Sequence, residues 1–188
     1  MTYIDLIKAY RPYNEQEVVD QKAILNFISQ TDDHLLRTNL VAHLTSSSIV
    51  LNKDYTKVLF AYHNIYQSWS WLGGHLDGDT DLLKVALKET KEETGIKHVE
   101  PFMDDIFMID VIYVKNHIKN GVHVGDHLHL NVTFLLIADE TDELFIKKDE
   151  NQGVRWFTLD EVFDFISEAR MVPIYKKAIH KIKEIVKT

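Results

Sequence analysis

A short stretch near the middle of the chain constrains the fold more than any other feature. It reads WSWLGGHLDGDTDLLKVALKETKEETGI and covers residues 69–96. A glycine pair leads into an acidic turn, and an apolar periodicity typical of a helix follows. Three residues can cap this helix, namely Asp79, Thr80 and Asp81. Gly95 is a natural helix terminator, so the sequence predicts a glycine turn and then a helix that ends near Thr94.

Three carboxylates lie together at the end of this predicted helix. Glu89, Glu92 and Glu93 are spaced i, i+3 and i+4, which places them within one arc of roughly 100°. The arc borders the predicted core-facing stripe, which consists of Leu83, Ala86, Leu87, Thr90 and Thr94. The solvent-facing side carries Lys84, Lys88 and Lys91. Hard oxygen ligands this close together suit Mg²⁺ or Mn²⁺, and the alternative interpretation is a solvated acidic helix end.

The segments around this helix predict an α+β fold, a sandwich of helices around a mixed β-sheet. Alternating or continuous apolar runs predict strands over residues 41–52, 57–64, 106–117, 127–139 and 154–158. Helical spacing predicts helices over 15–30, over 159–169 and from Pro173 onward. The pair Asn120–Gly121 indicates a turn. We expect a helical N-terminal extension over residues 1–40 and a single globular unit over residues 41–188.

Composition excludes several classes of protein. A hydrophobic content of 45% argues for a packed globule. The net charge of −8 argues against broad attraction to nucleic acid or to an anionic membrane. The chain has no cysteine, so disulfides and thiolate metal sites are excluded. The polar N-terminus does not resemble a signal peptide, and we expect a cytoplasmic protein.

The central stretch resembles the box of the Nudix hydrolase family, which reads G-x5-E-x7-R-E-U-x-E-E-x-G-U, where U is a bulky apolar residue. The matching positions are Gly74, Glu89, Glu92, Glu93, Gly95 and Ile96. The departures are Thr80 for the first Glu, Lys88 for the Arg and Thr90 for an apolar residue. Lys88 keeps the charge of arginine but loses its planar fork. The resemblance implies the Nudix fold and hydrolysis of a pyrophosphate bond.

The resemblance also implies a set of metal ligands. Glu89 and Glu93 would bind the metal directly with the backbone carbonyl of Gly73, and Glu92 would hold a second ion or an ordered water. Family members often add an acidic residue from a loop before a tryptophan-bearing strand. Here that residue is Glu150, with Asp149 as the second choice, and it would complete the metal cluster or act as the general base. Metal ions bridging a pyrophosphate would neutralise its charge and activate a water.

Histidines form a second set of candidate residues. His127 and His129 alternate in a predicted strand and therefore share one face. They could contact substrate, bind a metal or simply pair with polar neighbours. The chain resembles a branch of the family that shares HLT at residues 43–45, a GGHxDGD box and HxHxN, which favours substrate contact over metal binding. His75 follows the glycine pair and suits either a phosphate contact or a turn-stabilising role, and Lys88 is a further candidate for substrate binding.

Three functions are compatible with these features. The first is Mg²⁺- or Mn²⁺-dependent hydrolysis of a nucleoside diphosphate linked to another moiety, a small-molecule substrate. The second is a catalytically weak Nudix-like module that binds a nucleotide as a sensor. The third is an enzyme like isopentenyl-diphosphate isomerase, which the missing cysteine disfavours. The sequence does not fix the substrate or the oligomeric state, for which a homodimer is one option.

Overall fold

The computed structural model describes residues 1–119 and 121–186. Within them, the helices are α1 (Tyr3–Ala9), α2 (Glu15–Gln30), α3 (Leu82–Thr94), α4 (Val172–Ile185) and a 3₁₀ helix (Glu161–Phe165). The strands are β1 (Ala42–Asn52), β2 (Lys57–His63), β3 (Ser68–Ser70), β4 (Leu72–His75), β5 (Val99–Pro101), β6 (Met108–Val114), β7 (His117–Lys119), β8 (Val122–Val124), β9 (His127–Ala138) and β10 (Asn151–Thr158). The predicted α+β class is confirmed.

Most of the strands belong to one sheet. Across the described residues this sheet has eight strands, with the order β10-β2-β1-β9-β5, and β3, β4 and β6 pair with β2, β1 and β9 respectively. The register places Asp110 of β6 opposite Asn131 of β9 and Leu59 of β2 opposite Trp156 of β10. Strands β7 and β8 form a separate pair. Asn120 of the predicted turn lies outside the described residues, and Gly121 has a positive φ of 77°.

The chain divides into two compact units. The first unit comprises Met1–Ser47, Gly73–Lys88 and Met103–Phe134. In this unit α2 packs against α1 and β6. The Tyr10 hydroxyl donates to the Phe107 carbonyl at 3.1 Å, and the backbone N–H of Val111 donates to the Asp20 carboxylate at 2.8 Å. These bonds attach the N-terminal helices to a strand edge.

The second unit comprises Ser48–Leu72, Glu89–Phe102 and Leu135–Thr188. Its core is rich in aromatic side chains, and Phe60 and Tyr175 meet edge to face with ring centroids 5.1 Å apart. Trp69 packs in the same way on Phe157, with 4.9 Å between centroids. The Tyr175 hydroxyl accepts a hydrogen bond from the backbone of Trp71 at 3.4 Å. The Trp71 ring also packs edge to face on Tyr175, with 5.3 Å between centroids.

Helix α3 begins and ends where the sequence predicts. The Asp81 carboxylate accepts the backbone N–H of Lys84 at 3.0 Å, so Asp81 is the capping residue among the three candidates. Gly95 has a φ of 72° and donates its N–H to the Lys91 carbonyl at 2.8 Å. A methyl group on Gly95 would also lie 2.6 Å from the Phe145 ring. Both conformation and space therefore require glycine at this end.

The buried face of α3 differs from the predicted stripe. Ala86, Thr90 and Thr94 are buried as predicted, but Leu83 and Leu87 are only half-buried. Three other residues of the helix are buried instead, namely Leu82, Val85 and Glu93. The buried arc is thus rotated towards the carboxylates. The prediction failed because it assigned residues to the core by apolar character alone. The structure buries Glu93, which is 7% exposed, in preference to the two leucines.

The helix predicted over residues 159–169 is wrong in type and length. Only Glu161–Phe165 is helical, as a single 3₁₀ segment, and Ile166 then adopts an extended conformation. The backbone N–H groups of Ser167 and Glu168 donate to the Ser68 hydroxyl at 3.0 and 3.3 Å. These tertiary hydrogen bonds replace the bonds that a longer helix would have formed. The final helix is confirmed and begins at Val172, one residue before Pro173.

Over residues 1–119 and 121–186, none of the helices combines the length and the apolar character needed to cross a membrane.

Candidate active site

Three of the predicted site carboxylates meet in the second unit. Glu89 and Glu93 lie on α3, and Glu150 lies in the loop that leads into β10. Each offers a carboxylate oxygen, and these oxygens all lie within 4.8 Å of one another. We call Glu89, Glu93 and Glu150 the carboxylate group. Three negative charges this close repel one another, so a cation bound among them would stabilise the arrangement.

Hydrogen bonds inside the second unit hold this part of α3 in place. The hydroxyls of Ser48 and Thr90 are 2.7 Å apart, which joins β1 to the helix. The Thr94 hydroxyl donates to the Thr90 carbonyl at 2.6 Å in the last turn. Thr90 stands where the family pattern has an apolar residue. It is fully buried and its hydroxyl is paired, so this departure preserves the packing of the helix.

The loop that carries Glu150 is anchored to α3 by its neighbour Asn151. The Asn151 side-chain amide donates to the backbone carbonyl of Glu93 at 2.8 Å, and Asn151 is 2% exposed. The backbone of Asn64 donates to the Glu150 carbonyl at 2.9 Å. Sequence reasoning missed Asn151, because it lies in the polar run KKDENQ, where nothing distinguishes a buried amide from an exposed one.

Lys147 is a second residue that sequence reasoning missed. Its ammonium lies 3.1 Å from Glu150 and 3.6 Å from Glu92. Burial tends to lower the pKa of Lys147, but the hydrogen bond to Glu150 and the charges of Glu150, Glu92 and Glu89 outweigh it and raise the pKa overall. Lys147 is therefore a cation held beside the carboxylate group. Glu92 contacts this lysine and lies outside the group of three.

The remaining predicted residues have defined positions. Gly73 lies in β4 with a φ of 152°, and a methyl group there would lie 2.6 Å from both the Ser46 carbonyl oxygen and the Ser47 Cα. Glycine at position 73 thus has a steric reason, while the metal-ligand role of its carbonyl stays a prediction. Lys88 is exposed on α3, and Asp149 is exposed beside Glu150.

Two of the predicted histidines, His75 and His129, meet in the first unit. A third histidine, His43, joins them there. His43 of β1, His75 of β4 and His129 of β9 each offer a ring nitrogen, and these nitrogens lie within 4.8 Å of one another. We call these three residues the histidine triangle. His127 is adjacent, with its Nε2 3.2 Å from the Nε2 of His129. The sequence indicated His43 only as part of the HLT phrase, because strand periodicity does not show which strands are neighbours.

The three rings of the triangle favour the neutral form. Burial lowers the pKa of His75 to about 3, helped by the charges of Arg37 and His43. Burial also lowers the pKa of His129 well below its usual value, with further contributions from His75 and His43. The pKa of His43 is lowered for the same reason, chiefly by burial. Neutral imidazole has a free lone pair and is the form that binds metals.

Comparison with known proteins places the chain in a family. A family model described as the NUDIX domain matches residues 42–182. The RNA pyrophosphohydrolase of Pelagibacter ubique (strain HTCC1062) is 30% identical over 142 residues, which cover 73% of this chain and 89% of that protein. The chain belongs to the Nudix family. It is an enzyme of the Nudix pyrophosphohydrolase type, and this finding disfavours the sensor and isomerase alternatives.

Solved structures agree with this assignment at the level of the fold. An Ap4A hydrolase from C. elegans, in a binary complex, has a TM-score of 0.55 and 17% identity, covering 77% of this chain and 97% of that one. A Nudix-family hydrolase from Clostridium perfringens has a TM-score of 0.54 and 18% identity, covering 76% of this chain and 97% of that one. At these identities the likeness shows the Nudix fold alone, which confirms the predicted fold.

Proposed function

We propose that this enzyme hydrolyses a pyrophosphate bond in a nucleoside diphosphate linked to another moiety, with Mg²⁺ or Mn²⁺ as its metal. The observation that carries the proposal is the carboxylate group, with its three oxygens within 4.8 Å of one another. Membership of the family supplies the reaction type, and the donor atoms support the choice of metal.

The donor set fits a hard divalent cation. Glu89 and Glu93 would give carboxylate oxygens to the metal, with the Glu150 carboxylate beside them, and Mg²⁺ and Mn²⁺ prefer such oxygens. Ligand oxygens in an octahedral Mg²⁺ site lie about 2.9 to 4.2 Å apart. Small rotations of the three side chains would bring their oxygens from within 4.8 Å to this spacing. Glu93 is the most firmly placed of the three, since it is buried and the carbonyl of its own backbone is bonded to Asn151.

The residues of the carboxylate group and their neighbours then have separate roles in the reaction. The metal, when bound, neutralises the pyrophosphate and lowers the pKa of an attacking water. Glu89 and Glu93, one helical turn apart, hold it at a fixed position on α3. Glu150 accepts the water proton as the P–O–P bond is cleaved, because its loop places it against the other two carboxylates. Glu92 would hold a second ion or an ordered water, and Lys147 forms ion pairs with Glu92 and Glu150.

RNA is the second candidate substrate. The Pelagibacter ubique relative is named an RNA pyrophosphohydrolase and is 30% identical to this chain. The net charge of −8 argues against the non-specific phosphate contacts on which RNA binding usually relies. The small-molecule substrate is therefore the better supported of the two.

A substrate screen at saturating Mg²⁺ tests the proposal. The panel contains nucleoside triphosphates, ADP-ribose, dinucleoside polyphosphates, nucleotide sugars, coenzyme A and a 5′-triphosphorylated RNA oligonucleotide, with products separated by chromatography. We expect cleavage of a nucleoside diphosphate derivative by wild-type protein and none by Glu93→Gln. Preferred cleavage of the RNA would select the second candidate. Equal product formation by both proteins, or none from any compound, would contradict the proposal.

A further inference from the structure

The histidine triangle has the geometry of a metal site that is separate in chemistry from the carboxylate group. Its members lie on three different strands of the first unit, β1, β4 and β9. The ring centroids are 5.0 Å apart for His43 and His75, 5.1 Å for His43 and His129, and 5.0 Å for His75 and His129. Three imidazoles thus form a nearly equilateral arrangement.

The hydrogen bonding of His43 leaves one nitrogen ready for a ligand. Its Nδ1 lies 3.0 Å from the backbone carbonyl of Asn39. A carbonyl only accepts, so Nδ1 carries the proton and Nε2 carries the lone pair in the neutral ring. Nε2 is buried and has no hydrogen-bond partner among residues 1–119 and 121–186. An unpaired buried acceptor is costly, and a metal ion would satisfy it.

A backbone carbonyl fixes the neighbouring His127 in the same tautomer. Its Nδ1 lies 2.9 Å from the Gly125 carbonyl, so its Nε2 also carries a lone pair. This Nε2 is 3.2 Å from the Nε2 of His129. In the neutral rings, His129 therefore donates its Nε2 proton across this contact and keeps its lone pair on Nδ1. This lone pair is available to a metal. Backbone carbonyls that orient metal-binding histidines in this way are common around zinc.

We propose that His43, His75 and His129 form a zinc-binding site in which a water occupies the fourth position. Imidazole nitrogen suits Zn²⁺ better than Mg²⁺, and three histidines with one open position is an established zinc geometry. Tetrahedral zinc requires its nitrogens about 3.3 Å apart, so the rings would close inward from their separation of up to 4.8 Å. Because the ligands come from three strands, bound zinc would link β1, β4 and β9 and stabilise the folded state.

Direct binding measurements test this site without reference to catalysis. The untagged full-length protein, stripped with a chelator, is titrated with Zn²⁺ in the presence of excess Mg²⁺. We expect one equivalent of tightly bound zinc and a higher melting temperature. Co²⁺ added in place of Zn²⁺ should give the visible absorption of a four-coordinate site. Failure to retain zinc, or a Co²⁺ spectrum typical of six oxygen ligands, would overturn the proposal.

Substitutions decide which residues bind the zinc. His43→Gln and His75→Gln should each weaken zinc binding by at least about tenfold. His75 is less buried than His43, so it remains informative if the first variant is unstable. His123→Gln is the matched control, because His123 is an exposed histidine on β8. Glu93→Gln should also bind zinc normally. Zinc binding that is lost in Glu93→Gln but kept in both histidine variants would assign the zinc to the carboxylates and overturn the proposal.

Discussion

The side-chain amide of Asn151 donates a hydrogen bond to the backbone carbonyl of Glu93 across 2.8 Å. This bond joins the loop that carries Glu150 to the last turn of the helix that carries Glu89 and Glu93. The backbone N–H of Lys147 donates back to the Asn151 side chain at 3.3 Å, so the same residue also closes the loop on itself. Asn151 thereby sets the position of Glu150 relative to the other two carboxylates.

Asn151→Ala should therefore impair catalysis as well as stability. Loss of the amide removes its hydrogen bond to the Glu93 carbonyl, which should destabilise the fold by about 0.5–1.5 kcal/mol. We also expect kcat to fall about tenfold or more, since the loop is no longer fixed to the helix. Gln152→Ala, at the exposed next position, is the control. Unchanged kcat in folded Asn151→Ala would show that the bond does not position Glu150.

Glu150→Gln should lower kcat and alter the pH–rate profile, because we assign proton transfer to this carboxylate. Metal affinity in the free enzyme should change less than kcat. Asp149→Asn should have little effect, since Asp149 is exposed and is not part of the carboxylate group. Both variants are to be assayed across pH at saturating Mg²⁺. A strong defect in Asp149→Asn together with normal Glu150→Gln would exchange the two roles.

Lys147→Gln should increase the affinity for Mg²⁺. The Lys147 ammonium lies 3.1 Å from the Glu150 carboxylate. It therefore competes with the metal ion for the negative charge of Glu150. Partly exposed ion pairs contribute about 0.2–1 kcal/mol, so the Mg²⁺ concentration for half-maximal activity should fall by a factor of about 1.4 to 5. Lys148→Gln, an exposed neighbour, serves as the control. A higher Mg²⁺ requirement in Lys147→Gln alone would mean that the lysine supports the metal site.

Gly73→Ala should destabilise the protein strongly. The new methyl group would lie 2.6 Å from the backbone of β1 at Ser46 and Ser47, and φ is 152°. Overpacking and backbone strain together predict a loss of about 2–4 kcal/mol in the free energy of unfolding. Gly125→Ala is the control, because a methyl group there meets nothing within 4 Å. Denaturant unfolding of both variants gives the comparison, and equal stability would remove the steric reason for Gly73.

The sequence was sufficient for the features that local physics dictates. The cap at Asp81, the terminator at Gly95 and the long strands each depend on neighbouring residues alone. The grouping of Glu89 with Glu93 follows from helical spacing, and Glu150 was added through the family resemblance. Each of these features can be predicted from a single segment of the chain or from a motif with fixed spacing.

The features that the sequence did not reveal depend on which segments meet in space. His43 joins His75 and His129 only because their strands are brought together in the sheet. Lys147 and Asn151 acquire their roles from α3, which is more than 50 residues away in sequence. Hydropathy predicts that Leu83 and Leu87 face the core. It does not reveal that α3 buries Glu93 on a neighbouring face. The 3₁₀ segment ends early because the Ser68 hydroxyl accepts the N–H groups of Ser167 and Glu168.

The central claim is that the carboxylate group supports metal-dependent cleavage of a pyrophosphate bond, and Glu93→Gln tests it most directly. Glutamine keeps the size and shape of the buried Glu93 side chain but removes its charge, so the melting temperature should stay close to that of the wild type. The kcat at saturating Mg²⁺, on the best substrate of the screen, should fall by about 100-fold or more. Glu100→Gln, an exposed residue of β5, should retain full activity. Wild-type turnover in folded Glu93→Gln would contradict the account.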